Sequence, residues 1–399
     1  MSPVRPDKLI RQTATLEEIK EGRVSDIYFQ RCLQILEAEG VRKRVRAELC
    51  AKSLPRRWPW AILTGVEECV EILRDLPINV RCMEEGTVFH PFQPVMEIEG
   101  DYTEFGIYET ALLGYLCQAS GVATKAARCR KLAKDRSLVM FGARRIHPTV
   151  VPMVERNAYV GGCDGVAAIK SGEVIGKEAS GTTPHALMLI LGDTVTAMKA
   201  FDEVIDPSVR RVALIDTFAD EKFEAVRVAQ ALGDRLAAVR LDTPSSRRGD
   251  FIQILQEVRW ELDLRGFQHI QIFVSGGLDE EAIADLYPHV NGYGVGTCIS
   301  NAPVVDFSMD IVEIGGEPIA KRGKASGAKT VLRSSKTLED EIVPLSAAVE
   351  HMAANPELVD LLPPLIEDGR VVRPSHTPKE IRERVLEQLQ LLPDPNAGN

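Results

Sequence analysis

The feature that most constrains the fold is an alternation of short apolar runs with helical stretches between about residue 137 and residue 300. Among the helical stretches, DEKFEAVRVAQALG ends at Gly233 and GDFIQILQEVRWELDLRG ends at Gly266. Such alternation is typical of a parallel sheet with helical crossovers. The seven strand-like runs are SLVMFGARR, GCDGVAAI, ASGTTPHAL, RVALIDTFAD, LAAVRLDT, IQIFVSGG and GYGVGT. Because a full α/β barrel usually takes about 250 residues, this shorter stretch predicts an irregular or incomplete α/β barrel.

The residues on either side predict a second domain of the α/β (α+β) kind. Residues 25–52 have helical apolar spacing, residues 79–104 form short strands broken by Gly and Pro, and residues 105–134 return to helix. A hairpin around Gly315-Gly316 is expected to pair with the earlier strands, and the tail, residues 334–395, is expected to be mostly helical. The predicted domains are residues 1–120, an N-terminal α/β domain; residues 121–302, the barrel; and residues 303–399, strands returning to the N-terminal domain followed by a small helical C-terminal region.

Charge and composition exclude several classes of protein. The formal net charge is −10, and because duplex-binding proteins normally carry a basic surplus, nucleic acid is not expected as a partner. The first residues lack the apolar core of a signal peptide, and no apolar run approaches the length of a membrane span. We therefore expect a cytoplasmic protein without a membrane partner. Eight cysteines form no C-x-x-C pair, so we expect free thiols.

Two strand ends late in the barrel are rich in glycine. VSGGLDEEA contains Gly276 and Gly277, and GYGVGTCIS contains Gly294, Gly296 and Thr297. Glycine lets the backbone approach a phosphate closely, and the loops after the last two barrel strands often form a phosphate site. The alternative is that both are ordinary tight turns, but their occurrence as a pair favours phosphate binding.

Basic and acidic side chains follow other strand-like runs. Guanidinium groups clamp carboxylates and phosphates, although they also form structural ion pairs; the candidates are Arg144, Arg145, Arg240, Arg247 and Arg248. A functional role is favoured for Arg240, which lies inside an apolar strand, whereas a solvated role is nearly as well supported for Arg247 and Arg248. Carboxylates can hold the Mg²⁺ of a pyrophosphate substrate or stabilise a cationic sugar; the candidates are Asp164, Asp216, Asp220 and Asp242. For Asp220, helix capping is the favoured interpretation.

One histidine and two aromatic residues complete the candidates. His185 follows Gly-Thr-Thr at a strand end, where a structural and a functional role have equal support. Phe141 and Tyr28 could stack on a heteroaromatic ring, but the residues alone favour a place in the core for both. These observations predict an enzyme acting on a phosphorylated, Mg²⁺-bound substrate.

The ordered set of motifs resembles the nicotinate phosphoribosyltransferase family, and it is most similar to the shorter archaeal-type members. The set comprises FGARR, GGCDGVAAI, GTTPHAL, IDTFADEK, VRLDTPSSRRGD, VSGGLDE and GVGTCISN, and the resemblance covers nearly the whole chain. It implies an N-terminal α/β domain, an irregular α/β barrel and a small C-terminal region. It also implies ATP-coupled formation of nicotinate mononucleotide from nicotinate and 5-phosphoribosyl-1-pyrophosphate (PRPP) in NAD biosynthesis, with Mg²⁺ bound to PRPP and ATP.

The resemblance also implies roles for individual residues. The active site is expected between the subunits of a homodimer or higher homo-oligomer, with the base between Phe141 and the neighbour's Tyr28. His185 is expected to be phosphorylated by ATP and to act in catalysis with Asp216 and Asp242. The residues expected to bind substrate are Tyr28, Phe141, Arg144, Asp164, Thr183 and Arg240, and those expected to bind phosphate are Gly276, Gly277, Gly296 and Thr297.

Some alternatives stay open at this point. Some archaeal members of the family carry a cysteine zinc knuckle, but this chain has no cysteine after Cys298, so no zinc is expected. A nicotinamide or quinolinate phosphoribosyltransferase would share the fold, and a non-catalytic homologue would bind phosphoribosyl metabolites without turnover. Against the last, His185, Asp216, Arg240 and Asp242 are all present.

Overall fold

The computed structural model describes residues 12–394. The chain divides into two compact units. Among the described residues, the first comprises those up to Gly121 together with Pro303–Thr377, and the second comprises Val122–Ala302 with those from Pro378 onward. The last helix thus belongs to the second unit, whereas the sequence analysis grouped it with the strands after residue 303. Each unit has a hydrophobic core of its own.

Strands and helices are numbered in chain order. The strands are β1 (Arg44–Ala51), β2 (Ala61–Ile62), β3 (Ile78–Cys82), β4 (Val88–Phe89), β5 (Pro94–Asp101), β6 (Ser137–Met140), β7 (Arg211–Leu214), β8 (Leu236–Leu241), β9 (Gln271–Ser275), β10 (Gly292–Val295), β11 (Phe307–Ile314), β12 (Glu317–Pro318), β13 (Lys329–Ser334), β14 (Asp340–Pro344), β15 (Leu358–Asp360), β16 (Pro364–Glu367) and β17 (Arg370–Val371). The α-helices are α1 (Leu16–Lys20), α2 (Ile27–Ala38), α3 (Val66–Leu73), α4 (Tyr102–Phe105), α5 (Glu109–Ala133), α6 (Val151–Val160), α7 (Ile169–Ile175), α8 (His185–Leu191), α9 (Thr194–Val204), α10 (Glu221–Leu232), α11 (Ser245–Arg248), α12 (Phe251–Leu264), α13 (Glu280–Leu286), α14 (Thr297–Ser300), α15 (Ala348–Ala354) and α16 (Pro378–Leu391).

The first unit is built on a seven-stranded sheet with the order β12-β11-β1-β5-β3-β16-β17. All its pairs are antiparallel. Strands from beyond residue 303 therefore join the strands of residues 79–104 in one sheet, as predicted, and the hairpin at Gly315-Gly316 is confirmed. The expectation of helix throughout residues 25–52 was wrong in its second half. Helix α2 ends at Ala38, and β1 follows because Val45, Ala47 and Leu49 alternate onto a buried face.

The tail is less helical than expected. Strands β14, β15, β16 and β17 lie within residues 334–395, and α15 and α16 are the α-helices of this stretch as far as residue 394. Asp368 and Gly369 both have positive φ, at 46° and 77°, and they connect β16 to β17. This is the Asp-Gly hairpin signal, and it explains why the chain reverses here instead of continuing as a helix.

The second unit is built on a parallel sheet with the order β6-β10-β9-β8-β7. The α/β class and the parallel strands are confirmed, and the barrel is not closed between β6 and β7. Two strand-like runs did not become strands: GCDGVAAI makes a single bridge, from Gly165 to Val139, and ASGTTPHAL adds none. The buried carboxylate of Glu155 accepts the N–H groups of Ala167 and Ala168, which replaces a strand ladder there.

Helices α10 and α12 of the second unit begin and end close to where the sequence indicated. Asp220 caps α10 by accepting from the Lys222 N–H at 3.0 Å, which confirms the capping interpretation of this residue. Asp250 caps α12 in the same way, and α10 ends at Gly233, where φ is +58°. These helices return the chain to the start of each next strand. Within residues 12–394, no helix is both long enough and apolar enough to cross a membrane.

Candidate active site

The candidate site lies at one edge of the parallel sheet. Because the strands are parallel, their carboxyl ends meet at the same edge, which is where ligands bind in open α/β sheets. Polar or glycine residues directly follow β8, β9 and β10 at this edge, Asp216 is the second residue after β7, and Phe141 follows β6. In order across the sheet these positions are Phe141, Gly296, Gly276, Asp242 and Asp216.

Arg240 lies at the centre of this edge, near the end of β8. Its side chain is 12% exposed. Its Nε donates to Ser275 Oγ at 2.9 Å, Nη1 donates to Thr182 Oγ1, and Nη2 lies 3.0 Å from Asp242 Oδ2. A guanidinium has five N–H groups, so these contacts leave one N–H on each Nη nitrogen. A carboxylate in a bidentate pair accepts two N–H groups, so the two that remain match one carboxylate.

Ser275 joins the arginine to the neighbouring carboxylate. Its hydroxyl donates to Asp242 Oδ1 at 2.7 Å while accepting from Arg240, and the residue is 2% exposed. Burial lowers the pKa of Arg240, although the charge of Asp242 opposes this effect. Asp242 thus has a partner for each carboxylate oxygen, Ser275 for Oδ1 and Arg240 for Oδ2, and these two contacts fix the orientation of the carboxylate.

Phe141 provides an aromatic surface beside Arg240. The guanidinium carbon lies 5.4 Å from the centre of the phenyl ring, within cation–π range. A Cβ at Gly294 would lie 2.2 Å from the ring, so this glycine of β10 makes room for Phe141. The ring therefore faces the site because the neighbouring strand has no side chain there.

Arg144 lies in a short 3-10 turn after Phe141 and is exposed. Its positive charge contributes, after burial, to the lowered pKa of Arg240, so the two guanidinium groups are close enough to repel each other. No side-chain partner for Arg144 is recorded in the part of the chain that the structure describes. It is available to an anion at this edge.

His185 and Asp216 form a pair at the other side of the edge. His185 is the first residue of α8, and its Nε2 lies 3.3 Å from Asp216 Oδ2. The histidine side chain is 41% exposed and the aspartate 3% exposed. The other carboxylate oxygen, Asp216 Oδ1, is buried without a hydrogen-bond partner among residues 12–394. A buried oxygen of this kind is suited to a donor or cation that arrives with a ligand.

The glycine turns predicted to hold phosphate lie at the same edge. Gly276 and Gly277 have positive φ, at 84° and 65°, and both are exposed. Gly296 precedes the short helix α14, of which Thr297 is the first residue. No other residue type would fit easily at Gly276, because a Cβ there would meet Asp242 Oδ1 at 3.1 Å.

Two predicted substrate-binding residues lie elsewhere. Asp164 accepts from the Leu138 N–H at 2.9 Å, at the beginning of β6, and therefore lies at the opposite end of the sheet. Its carboxylate pairs with Arg130 and Arg382, which joins α5 to α16. Thr183 is 1% exposed, and its hydroxyl donates to the backbone carbonyl of Val212. Both residues therefore have partners within the protein.

Tyr28 is in the first unit, on α2, and its side chain is 58% exposed. The residues alone favoured a place in the core; the structure instead puts Phe29 in the core, at 7% exposure. Tyr28 is available for a contact outside its own helix.

Three residues of the site were missed or undervalued in the sequence. The hydroxyl groups of Thr182 and Ser275 both accept hydrogen bonds from Arg240. Thr182 directly precedes Thr183, and Ser275 directly precedes Gly276, both of which were candidate residues. Arg248 donates to backbone carbonyls near the glycine turn, although its position after a turn gave a solvated role similar support. Hydroxyl groups next to a glycine pair are the signal that could have identified Ser275. Among residues 12–394, no group of three or more His, Cys, Asp or Glu side chains is arranged to hold a metal ion.

Comparison with known proteins identifies the family. The model of the quinolinate phosphoribosyl transferase N-terminal domain matches residues 26–120, and that of its C-terminal domain matches residues 122–310. A nicotinate phosphoribosyltransferase of Mycobacterium tuberculosis is 30% identical over 333 residues, which cover 79% of this chain and 69% of that protein.

Solved structures agree with the sequence matches. A nicotinate-nucleotide pyrophosphorylase from Pyrococcus furiosus is 51% identical, with a TM-score of 0.93 over 96% of this chain and 98% of that chain. Human nicotinic acid phosphoribosyltransferase shares the fold at 19% identity, with a TM-score of 0.73 over 92% of this chain and 94% of that chain. With both family models matched in order and a relative of this identity covered over two thirds of its length, the chain belongs to the nicotinate phosphoribosyltransferase family.

Proposed function

We propose that the protein transfers the phosphoribosyl group of PRPP to the ring nitrogen of nicotinate. The new bond joins that nitrogen to C1 of the ribose, the bond from C1 to the pyrophosphate oxygen breaks, and the products are nicotinate mononucleotide and pyrophosphate. The observation that carries the proposal is Arg240, a largely buried guanidinium with one free N–H on each Nη nitrogen and an aromatic ring beside it. A flat carboxylated heteroaromatic ring such as nicotinate suits this combination.

The remaining residues of the edge suit the second substrate. Asp216 offers a buried oxygen without a partner, and Asp242 lies at the next strand end. Carboxylate oxygens of this kind can accept the ribose hydroxyls or hold the hydrated Mg²⁺ that arrives with PRPP. The N–H groups at Gly276, Gly277, Gly296 and Thr297, with Arg144, are proposed to bind the phosphate groups.

His185 is proposed to accept a phosphoryl group from ATP, and Mg²⁺ accompanies the nucleotide. The γ-phosphorus–oxygen bond of ATP breaks, a phosphorus–nitrogen bond forms on the imidazole, ADP leaves, and water later releases phosphate. Because Nε2 contacts Asp216, Nδ1 is the nitrogen left for attack; among residues 12–394 no partner is recorded for it. The negative charge of Asp216 stabilises the positively charged imidazole ring that forms when Nδ1 attacks.

The protein is further proposed to act in the cytoplasm as a homodimer or higher homo-oligomer with shared active sites. The exposed side chain of Tyr28 supports this proposal, since it can close the open face of the base opposite a neighbour's Phe141. Mixing Tyr28→Ala protein with Phe141→Ala protein should restore part of the activity, because one site of each mixed dimer has both rings. No recovery after proven subunit exchange would contradict shared sites.

Two rival substrates deserve comparison in the same assay. The matched models describe quinolinate phosphoribosyl transferase, and nicotinamide differs from nicotinate by a single charge. Each base is incubated with PRPP and Mg²⁺, with and without ATP, and nucleotide and pyrophosphate are measured. We expect the highest kcat/KM with nicotinate. A much higher value with nicotinamide or quinolinate would overturn the substrate assignment, and binding of PRPP without turnover of any base would indicate a non-catalytic homologue.

The role of His185 has its own test. His185→Ala should abolish ATP hydrolysis and ATP stimulation but leave slow ATP-independent transfer, since the binding residues remain. His269→Ala is the matched control, because that histidine is exposed in the loop before β9. ATP hydrolysis at the wild-type rate in His185→Ala, or acid-labile phosphate on another histidine, would assign the phosphorylated residue elsewhere.

A further inference from the structure

The turn Gly276–Gly277 depends on support from outside itself. Both glycines have positive φ and exposed backbones, and a glycine backbone loses more conformational freedom on ordering than any other. A phosphate can be bound tightly only if the N–H groups of the turn already point the same way, since ordering them on binding would weaken the affinity.

Arg248 supplies that support. It is the last residue of α11, and its Nε donates to the carbonyl oxygen of Thr243 at 2.7 Å. Its Nη2 donates to the carbonyl oxygens of both Ser275, at 2.9 Å, and Gly276. The guanidinium carbon also lies 4.6 Å from the ring centre of Phe251, which packs against one face of the group. One rigid fork thus holds the strand end of β8 and the glycine turn after β9 together.

Peptide geometry translates these contacts into an orientation of the N–H groups. In a trans peptide the C=O and N–H bonds point in opposite directions. With the carbonyls of Ser275 and Gly276 directed at Arg248, the N–H groups of Gly276 and Gly277 are directed away from it. No acceptor for either N–H is recorded among residues 12–394. Successive N–H groups that point the same way form an anion-binding concavity.

We propose that Arg248 is a positioning residue, which holds the Gly276–Gly277 turn in the shape that binds a phosphate of PRPP and acts through the turn without touching the substrate. This inference rests on the proposed function. A neighbouring constraint agrees with it: a Cβ at Gly276 would lie 3.2 Å from Nη2 of Arg248, so the glycine leaves room for the arginine beside the turn.

The test measures the KM of PRPP and of nicotinate separately. In Arg248→Ala we expect the KM of PRPP to rise about tenfold or more, as for the loss of hydrogen bonds from a charged donor, while the KM of nicotinate changes less than about twofold. Arg248→Lys keeps the charge but loses the planar fork, so it should restore part of the affinity. Guanidinium ion added to Arg248→Ala should also lower the KM of PRPP. The matched control is Arg247→Ala, because Arg247 is the exposed preceding residue, and both KM values should stay within about twofold.

A double-mutant cycle with Gly276→Ala separates action through the turn from direct contact. If Arg248 acts through the turn, the two substitutions should affect the KM of PRPP less than additively. Additive effects, equal rises in both KM values, or an unchanged KM of PRPP would each overturn the inference. Thermal unfolding midpoints identify variants that do not fold, and if Arg248→Ala is one of them, Arg248→Lys replaces it in the cycle. A wild-type protein without turnover would overturn the proposed function, and this inference with it; an active wild type with unaffected Arg248 variants would overturn the inference alone.

Discussion

Replacing Arg240 by alanine should remove the preference for nicotinate over nicotinamide. The side chain is 12% exposed, and three of its N–H groups already have partners in Ser275, Thr182 and Asp242. Loss of one partner of a buried charge pair costs roughly 3–5 kcal/mol. At about 1.4 kcal/mol for each factor of ten, kcat/KM for nicotinate should fall by a factor between roughly 10² and 4 × 10³.

The ratio between the two bases isolates the contact with the carboxylate. The substitution also leaves Asp242 without its cation, but that loss affects both reactions equally and cancels in the ratio. Nicotinamide has no charge to pair, so the fold-decrease in its kcat/KM should be at least about ten times smaller than that for nicotinate. Arg240→Lys should be intermediate, since a lysine keeps the charge without the fork.

The assay compares initial rates for both bases at saturating PRPP and Mg²⁺, with Arg247→Ala as the exposed control. Thermal unfolding of each variant verifies that the protein is folded. If the ratio of kcat/KM values in Arg240→Ala stayed within about twofold of wild type, the two free N–H groups would have another purpose, and the base would bind elsewhere on the edge.

Three further outcomes follow from the structure. Asp242→Asn should lower kcat at least about tenfold, since the shape is kept and the charge is lost; a normal rate at saturating Mg²⁺ would exclude the proposed role. Gly294→Ala should raise the KM of nicotinate, because the added methyl group would displace the ring of Phe141; an unchanged KM would show that this ring does not contact the base. Burial alone would raise the pKa of Asp340, but hydrogen bonds, chiefly from Arg333, lower it from 3.8 to about 2. The stability from this depressed pKa is present above about pH 4 and is lost as the pH falls toward 2, up to about 2 kcal/mol, so the urea midpoint should fall less over this range in Asp340→Asn than in wild type; equal falls would contradict the assignment.

Local patterns in the sequence predicted most of the sheet that carries the site. The five true strands of the second unit all lie within predicted runs, and the candidate residues that end them meet at one edge. Asp164 was misplaced because GGCDG resembles a strand end, whereas the chain there returns to the beginning of β6. The spacing of apolar residues shows which residues are buried, but not at which end of the sheet a loop lies.

Contacts between distant segments were the least predictable part. Residues 44–51 have both helical and alternating apolar spacing, and only the pairing of β1 with β5 and β11 on its two sides decides for a strand. Likewise Ser275, Thr182 and Arg248 become important through partners that are 27 to 58 residues away. The Asp368-Gly369 turn, by contrast, could have been predicted from the local Asp-Gly pair alone.

Because β6 and β7 do not pair, the residues that precede His185 lie in the gap between these strands and form few hydrogen bonds. Residues 178–184 add no strand there. The segment is held by hydrogen bonds from the Ser180 N–H to the Val166 carbonyl, from the Thr183 hydroxyl to the Val212 carbonyl and from Arg240 to the Thr182 hydroxyl. A segment with so few backbone hydrogen bonds opens locally at low cost, and its amide protons exchange with solvent sooner than those of the neighbouring strands. The doubly charged phosphoryl group proposed for His185 can therefore be accommodated by adjustment of this segment while the parallel ladder stays intact.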